Sequence, residues 1–172
     1  PAEPGDTVKV LDKNWKLRPL QKTFPGLHEY ETLVCDTPAV PAKLGDWRTI
    51  LGDDFSGKAV YTTTFRVQDT SEIGFIDLGE VCYASRVRLN GKELGSCILG
   101  DFIFPVKDAL RCGVNHLEVT VSNTLANAVN APAVQEYWSK TFPYSFYMPL
   151  QRSFEKNSLH SGLIGPVRLR KK

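Results

Sequence analysis

Long apolar runs are missing from this sequence. None approaches the roughly 18 residues that span a bilayer, which excludes a membrane-spanning helix. Histidine is scarce: His28, His116 and His160 are too dispersed for a metal cluster or a catalytic triad, and there is no Gly-x-Ser-x-Gly nucleophile elbow. No glycine-rich phosphate loop occurs, since Gly91-Lys92 and the glycines at 95, 100 and 113 do not make one. An excess of one charge is also lacking. Lys and Arg number 21 against 19 Asp and Glu, the balance is +2, and the basic residues are scattered apart from Arg168, Arg170, Lys171 and Lys172, so nucleic acid is not an expected partner.

Cys35, Cys82, Cys97 and Cys112 lie 47, 15 and 15 residues apart, with no C-x-x-C pair, which argues against a zinc or dithiol redox site. The even count permits two disulfides or four free thiols. The only methionine is Met148, and the chain opens Pro1-Ala2-Glu3-Pro4 with no charged-then-apolar leader, so the expectation is a mature or excised piece.

What is present is the punctuation of an all-β protein. Thirteen glycines and eleven prolines fall between short β-rich runs. In residues 59–67, Ala59, Tyr61, Thr63, Phe65 and Val67 share one face, and Val60, Thr62, Thr64 and Arg66 the other; one face is buried and one is wet. Val81, Tyr83, Val87 and Leu89 alternate against Arg86 and Arg88, and that run ends in the hairpin dipeptide Asn90-Gly91. Leu117, Val119 and Val121 alternate with Glu118, Thr120 and Ser122, as do Val167 and Leu169 with Arg168 and Arg170. Weaker strands are predicted at 8–11, 16–20, 32–35, 73–78, 93–99 and 102–106. Ten short strands predict a two-sheet antiparallel β-sandwich filling one domain, 1–172. Helix is confined to one or two turns within 125–139, where Pro132 interrupts the pattern, and another turn at 107–110.

Several motifs follow one another in order: Trp47; Phe55-Ser56-Gly57-Lys58-Ala59-Val60-Tyr61; Asp77-Leu78-Gly79-Glu80-Val81; Val87-Arg88-Leu89-Asn90-Gly91-Lys92-Glu93-Leu94-Gly95; Gly113-Val114-Asn115-His116-Leu117; and Ser161-Gly162-Leu163-Ile164-Gly165-Pro166-Val167. This series, over roughly residues 45 to 170, resembles the galactose-binding-like jelly-roll domain, the sugar-binding domain of glycoside hydrolases of the β-galactosidase and α-rhamnosidase kinds. Trp15-Lys16-Leu17 looks like that family's opening strand, which makes 1–30 a strand and lead-in and 125–160 a long aromatic-rich return connection. The motifs also read physically. Gly79 is free to take positive φ at a strand end, and Asn115 can satisfy backbone groups of its own turn. Two places depart from the family pattern: Asp101-Phe102-Ile103-Phe104-Pro105 stands for a Trp-Pro-type segment, and Asn127-Ala128-Val129 for Asn-Arg-Leu.

The resemblance implies a non-catalytic carbohydrate-binding or accessory domain of a larger enzyme, in a periplasmic or extracellular setting. Its partners would be a glycan and the parent catalytic domain. Tyr137, Trp138, Phe142, Tyr144, Phe146 and Tyr147 place six of 18 aromatics within 11 residues. Aromatic faces stack on sugar C–H faces while polar neighbours such as Gln135, Gln151 and Arg152 read hydroxyls. The alternative is that these rings cover the end of the sandwich or brace a neighbouring domain. Trp47, flanked by Asp46 and Arg48, is either a second platform or a buried anchor. Asp53-Asp54 is a candidate for a structural calcium, although it lacks the alternating oxygen spacing of a recognisable loop. A glycosidase in its own right needs two carboxylates about 5 to 9.5 Å apart in a cleft, and no such context is identifiable.

Overall fold

In the computed structural model, residues 3–26, 29–106, 108–141 and 159–172 are described. The strands in chain order are β1 (Thr7–Val10), β2 (Lys16–Pro25), β3 (Tyr30–Val34), β4 (Val40–Pro41), β5 (Gly57–Val67), β6 (Ile73–Asp77) and β7 (Glu80–Cys82). There follow β8 (Ala84–Leu89), β9 (Lys92–Cys97), β10 (Ile103–Pro105), β11 (Gly113–Ser122), β12 (Gly162–Gly165) and β13 (Arg168–Lys171). One sheet has the order β1-β13-β6-β10. A larger one runs β3-β2-β5-β11-β8-β9 with β4 beside β2, and β12 pairs with β7. All these pairings are antiparallel. The sandwich expected from the sequence is present.

The core sits where the period-two pattern put it. Ala59, Tyr61, Thr63, Phe65 and Val67 of β5 are buried, with Leu117, Val119 and Val121 of β11 and Val87 and Leu89 of β8 beside them. Ile73, Ile76, Phe104 and Leu169 of the smaller sheet join the same cluster. The wet face of β5 has one departure: Val60 is only 8% exposed, because β5 is central and Arg18 and Thr120 flank it on the neighbouring strands.

Turn chemistry behaves as the side chains dictate. Asn90 and Gly91 take φ of 52° and 80° and close the β8–β9 hairpin, pairing Leu89 with Lys92. Asn115 is fully buried; its Oδ1 accepts from the Arg111 N–H at 3.1 Å and its Nδ2 donates to the carbonyls of Arg111 and Gly113. Asn90 Nδ2 donates to Asn115 Oδ1 at 2.7 Å, which ties the two turns together.

The structure corrects several element boundaries. The run 81–89 is two strands, because β7 pairs with β12 while β8 pairs with β11. Strands β4 and β12 were not predicted. Pro132 does not break a helix but begins one, at the position where its missing N–H has no intrahelical role: after α1 (Arg48–Leu51) and α2 (Ala126–Val129), α3 spans Pro132–Thr141. Of the turn expected at 107–110, residues 108 and 109 form a turn, with the Ala109 N–H donating to the Val106 carbonyl at 2.9 Å, while Lys107 lies outside the described residues. The four cysteines are free thiols in this structure. Burial pushes the Cys82 thiol up to about 11, and the charge of Glu80 adds to the shift.

Candidate functional site

The loop that carries Trp47 is strapped to β12. The Gly45 N–H donates to the Leu163 carbonyl at 2.9 Å and the Trp47 N–H to the Ser161 carbonyl at 2.8 Å. With its backbone held there, the Trp47 side chain turns inward. It is 1% exposed and meets Phe55 edge to face, centroids 5.4 Å apart at 87°. Both faces are therefore unavailable to a sugar, and Trp47 is corrected from a candidate platform to a core anchor. Its Nε1 has no hydrogen-bond partner among the described residues.

Arg48 reads the same way. Its Nη2 lies 2.6 Å from Asp46 Oδ2, its Nε donates to the same oxygen at 2.7 Å, and Asp46 Oδ1 accepts from the backbone N–H groups of Arg48 and Ser161. Burial by itself would raise the Asp46 carboxyl; the hydrogen bonds and charge of Arg48 outweigh it and hold the carboxyl below its ordinary range. Burial pushes the nearby Tyr61 phenol up to about 12, and the Asp46 charge adds to that.

At the Asp53-Asp54 calcium candidate the structure shows an ion pair. Asp54 Oδ2 is 2.7 Å from Lys22 Nζ, so the carboxylate already has a cation. Among the described residues no three His, Cys, Asp or Glu side chains gather where a metal could sit. A hard divalent ion needs six or more oxygens.

A buried polar network that the sequence reading missed supports this end of the sandwich. Asn123 Oδ1 accepts from the Gly57 N–H at 2.8 Å, and its Nδ2 donates to the Phe55 carbonyl at 2.8 Å and Ser161 Oγ at 3.0 Å. Asn127, 1% exposed, donates to the Leu159 carbonyl at 3.1 Å, and Ser56 Oγ accepts from the Ala128 N–H. These bonds replace a sheet ladder where the chain leaves β11, and they fix α2 against loop 53–57 and residues 159–161. The signal was present in the pair Asn123 and Asn127, one helical turn apart beside a strand end.

Beyond α2, α3 carries Tyr137 and Trp138. The Gln135 side chain donates to the Val129 carbonyl at 2.7 Å and so ties α3 to α2. Tyr137 is 41% exposed and Trp138 half-buried. With Ala133 and Val134 they face Pro25 and Gly26 at the end of β2 across a groove of about 260 Å³. The structure thus brings Tyr137 and Trp138 together and separates them from Trp47. Phe142, Tyr144, Phe146, Tyr147, Gln151 and Arg152 lie outside the described residues.

No protein-family profile matches the sequence. Among curated proteins, a provisionally named beta-glucuronidase of Formosa agariphila is 29% identical over 139 residues, which is 67% of this chain and 12% of that protein. Among solved structures, a rhamnosidase of Novosphingobium sp. PP1Y superposes with a TM-score of 0.66 at 24% identity, over 99% of this chain and 16% of the other. A beta-glucuronidase of Bifidobacterium dentium gives a TM-score of 0.60 at 21% identity, over 95% of this chain and 29% of the other. The fold is thus that of a domain found in glycoside hydrolases, in keeping with the sugar-binding-domain resemblance of the motifs, and the chain spans only about an eighth of its curated relative.

Proposed function

We propose that the chain is a non-catalytic domain of a larger glycoside hydrolase and that it contacts carbohydrate through the Tyr137 and Trp138 groove. The observation that carries the first part is the 139-residue similarity to 12% of a glucuronidase-named protein, together with a fold match across nearly the whole chain to a small share of a rhamnosidase. A domain-sized chain similar to a fraction of such proteins is suited to an accessory role. The second part rests on an exposed Tyr beside a half-buried Trp, on a helix fixed to the sandwich through α2. Ring faces there stack on sugar C–H surface, and weak binding is useful when tethering raises the local concentration of a catalytic domain at its substrate. No described helix is long and apolar enough to cross a membrane.

A second reading is favoured by the groove lining. Pro25, Gly26, Ala133 and Val134 offer no side-chain hydrogen bonds. Such a surface also fits a neighbouring domain of the same enzyme, with Tyr137 and Trp138 buried on docking and the domain acting as a brace.

A glycan array followed by titration calorimetry separates the two. Carbohydrate contact predicts millimolar to micromolar binding of neutral oligosaccharides, abolished by Trp138→Ala with the melting temperature unchanged. Silence across a broad panel transfers the groove to the bracing role. Hydrolysis of nitrophenyl glycosides by the purified chain would overturn the non-catalytic assignment.

A further inference from the structure

Basic residues scattered along the sequence converge on one surface. The outward face of the seven-stranded sheet takes every second residue of β2, β5, β11 and β8. In register, Arg18 lies beside Val60, Val60 beside Thr120, and Thr120 beside Arg86; one row along, Lys16, Thr62, Glu118 and Arg88 line up in the same way. Lys58 and Arg66 stand on the same face near the two ends of β5. Six cations thus share this face, and among the described strand residues Glu118 and Glu93 are the acids on it, although the whole chain carries just +2. Glu93 pairs with Arg86, and Glu118 lies 3.7 Å from His116. Lys16, Arg18, Lys58 and Arg66 have no acidic partner among the described residues.

Two clefts of about 510 Å³ border β5, one beside its Arg66 end and one beside its Lys58 end. One is lined by Lys9, Asp12, Lys13, Asn14, Thr64 and Arg66, so three cations there face one acid. The other is lined by Gln21, Lys58, Arg86, Thr120 and Ser122, with Val34 and Ile98 as exposed apolar lips. From Lys58 to Arg66 along β5 is about 27 Å, and from β2 to β8 about 14 Å. The surface is an elongated, hydroxyl-rich, cationic platform.

We propose that this face binds an anionic polysaccharide, carboxylate- or sulfate-bearing, running along β5 between the two clefts. The cations take the acidic groups, Thr62, Thr64, Thr120, Ser122 and Gln21 exchange hydrogen bonds with hydroxyls, and Val34 and Ile98 take sugar C–H surface. The chemistry fits other polymers less well. Single-stranded nucleic acid needs stacking aromatics, and β5, β11 and β8 present no Phe, Tyr or Trp on this face. A permanent protein interface is depleted in charge, whereas here Lys16, Arg18, Arg86 and Arg88 flank the central strands on both sides and Glu118 sits between them. This surface is separate from the Tyr137 and Trp138 groove, so the inference deepens the carbohydrate reading without using its residues.

The test is affinity electrophoresis and calorimetry of the full chain with polygalacturonate, a sulfated galactan, a neutral galactan and a 30-base-pair DNA duplex. Binding to either acidic polysaccharide is expected, weakening as salt rises, with the two arms showing which acid is preferred; the neutral galactan should be at least tenfold weaker. Arg18→Gln/Lys58→Gln/Arg66→Gln should lose about tenfold or more with an unchanged melting temperature. A control with equal charge loss elsewhere, Lys43→Gln/Lys140→Gln/Lys171→Gln, should bind as the parent does. Equal loss in both triple variants, equally tight DNA binding, or no preference over neutral galactan would overturn the proposal. Trp138→Ala should leave polyanion binding intact, so failure here is distinct from failure at the groove.

Discussion

Truncation of Trp47 discriminates an anchor from a sugar platform. The indole is 1% exposed, packs edge to face on Phe55, and belongs to the central hydrophobic cluster. Trp47→Ala removes a complete buried aromatic and leaves a cavity that the strapped loop cannot close, because its backbone is held by Ser161 and Leu163. A loss of about 3–5 kcal/mol is expected. For a domain of this size each kcal/mol shifts the midpoint by about 2–4 °C, so melting should fall by about 6–20 °C in differential scanning calorimetry. Trp47→Phe keeps most of the packing and removes an Nε1 donor that has no partner among the described residues. Its loss should be well under half that of the alanine variant, since an unsatisfied buried donor is itself a cost of about 1–3 kcal/mol. An alanine variant that melts within a degree of the parent, yet loses carbohydrate binding, would refute this assignment.

Three further outcomes are expected. Gly57 takes a φ of 147°, and a Cβ there would sit 2.0 Å from the Gln21 carbonyl oxygen, so Gly57→Ala should force β2 from β5 and leave little folded protein; near-parental melting by circular dichroism would contradict the geometry. Asp46 is held below its ordinary pKa of 3.8, so its contribution is present above that value and lost as pH falls through the folded pKa. The parent should therefore lose melting temperature more steeply below about pH 4 than Asp46→Asn, and parallel curves from pH 2 to 7 would remove Asp46 from the account. With its thiol near 11 and its side chain buried, Cys82 is about 0.1% thiolate at pH 8, so iodoacetamide should label exposed Cys112 first and reach Cys82 only on unfolding. Equal labelling rates, read by peptide mass spectrometry, would contradict the burial.

The sandwich was legible because the buried face of each main strand alternates cleanly: Ala59 to Val67, Leu117 to Val121, and Val87 with Leu89 all point where period two sends them. Asn90-Gly91 and Asn115 carry their turn chemistry in their own side chains, so local sequence sufficed. The sheet-switching at Tyr83 was not legible, since the pairing of β7 with β12 joins residues about 80 positions apart. Nor was the direction of Trp47: polar neighbours in sequence suggested exposure, while the hydrogen bonds to Ser161 and Leu163 that turn it inward are long-range. The cationic face was hidden for the same reason. Arg18, Lys58 and Arg86 are neighbours only once register places β2, β5, β11 and β8 side by side.

The most direct measurement of the carbohydrate-contact claim is a nitrogen-15 correlation spectrum of the chain titrated with the best neutral oligosaccharide from the array. The account predicts saturable shifts concentrated at Gly26, Val134, Tyr137 and Trp138, with the Trp47 indole signal unmoved. Shifts absent from α3, or centred on Trp47, would contradict it.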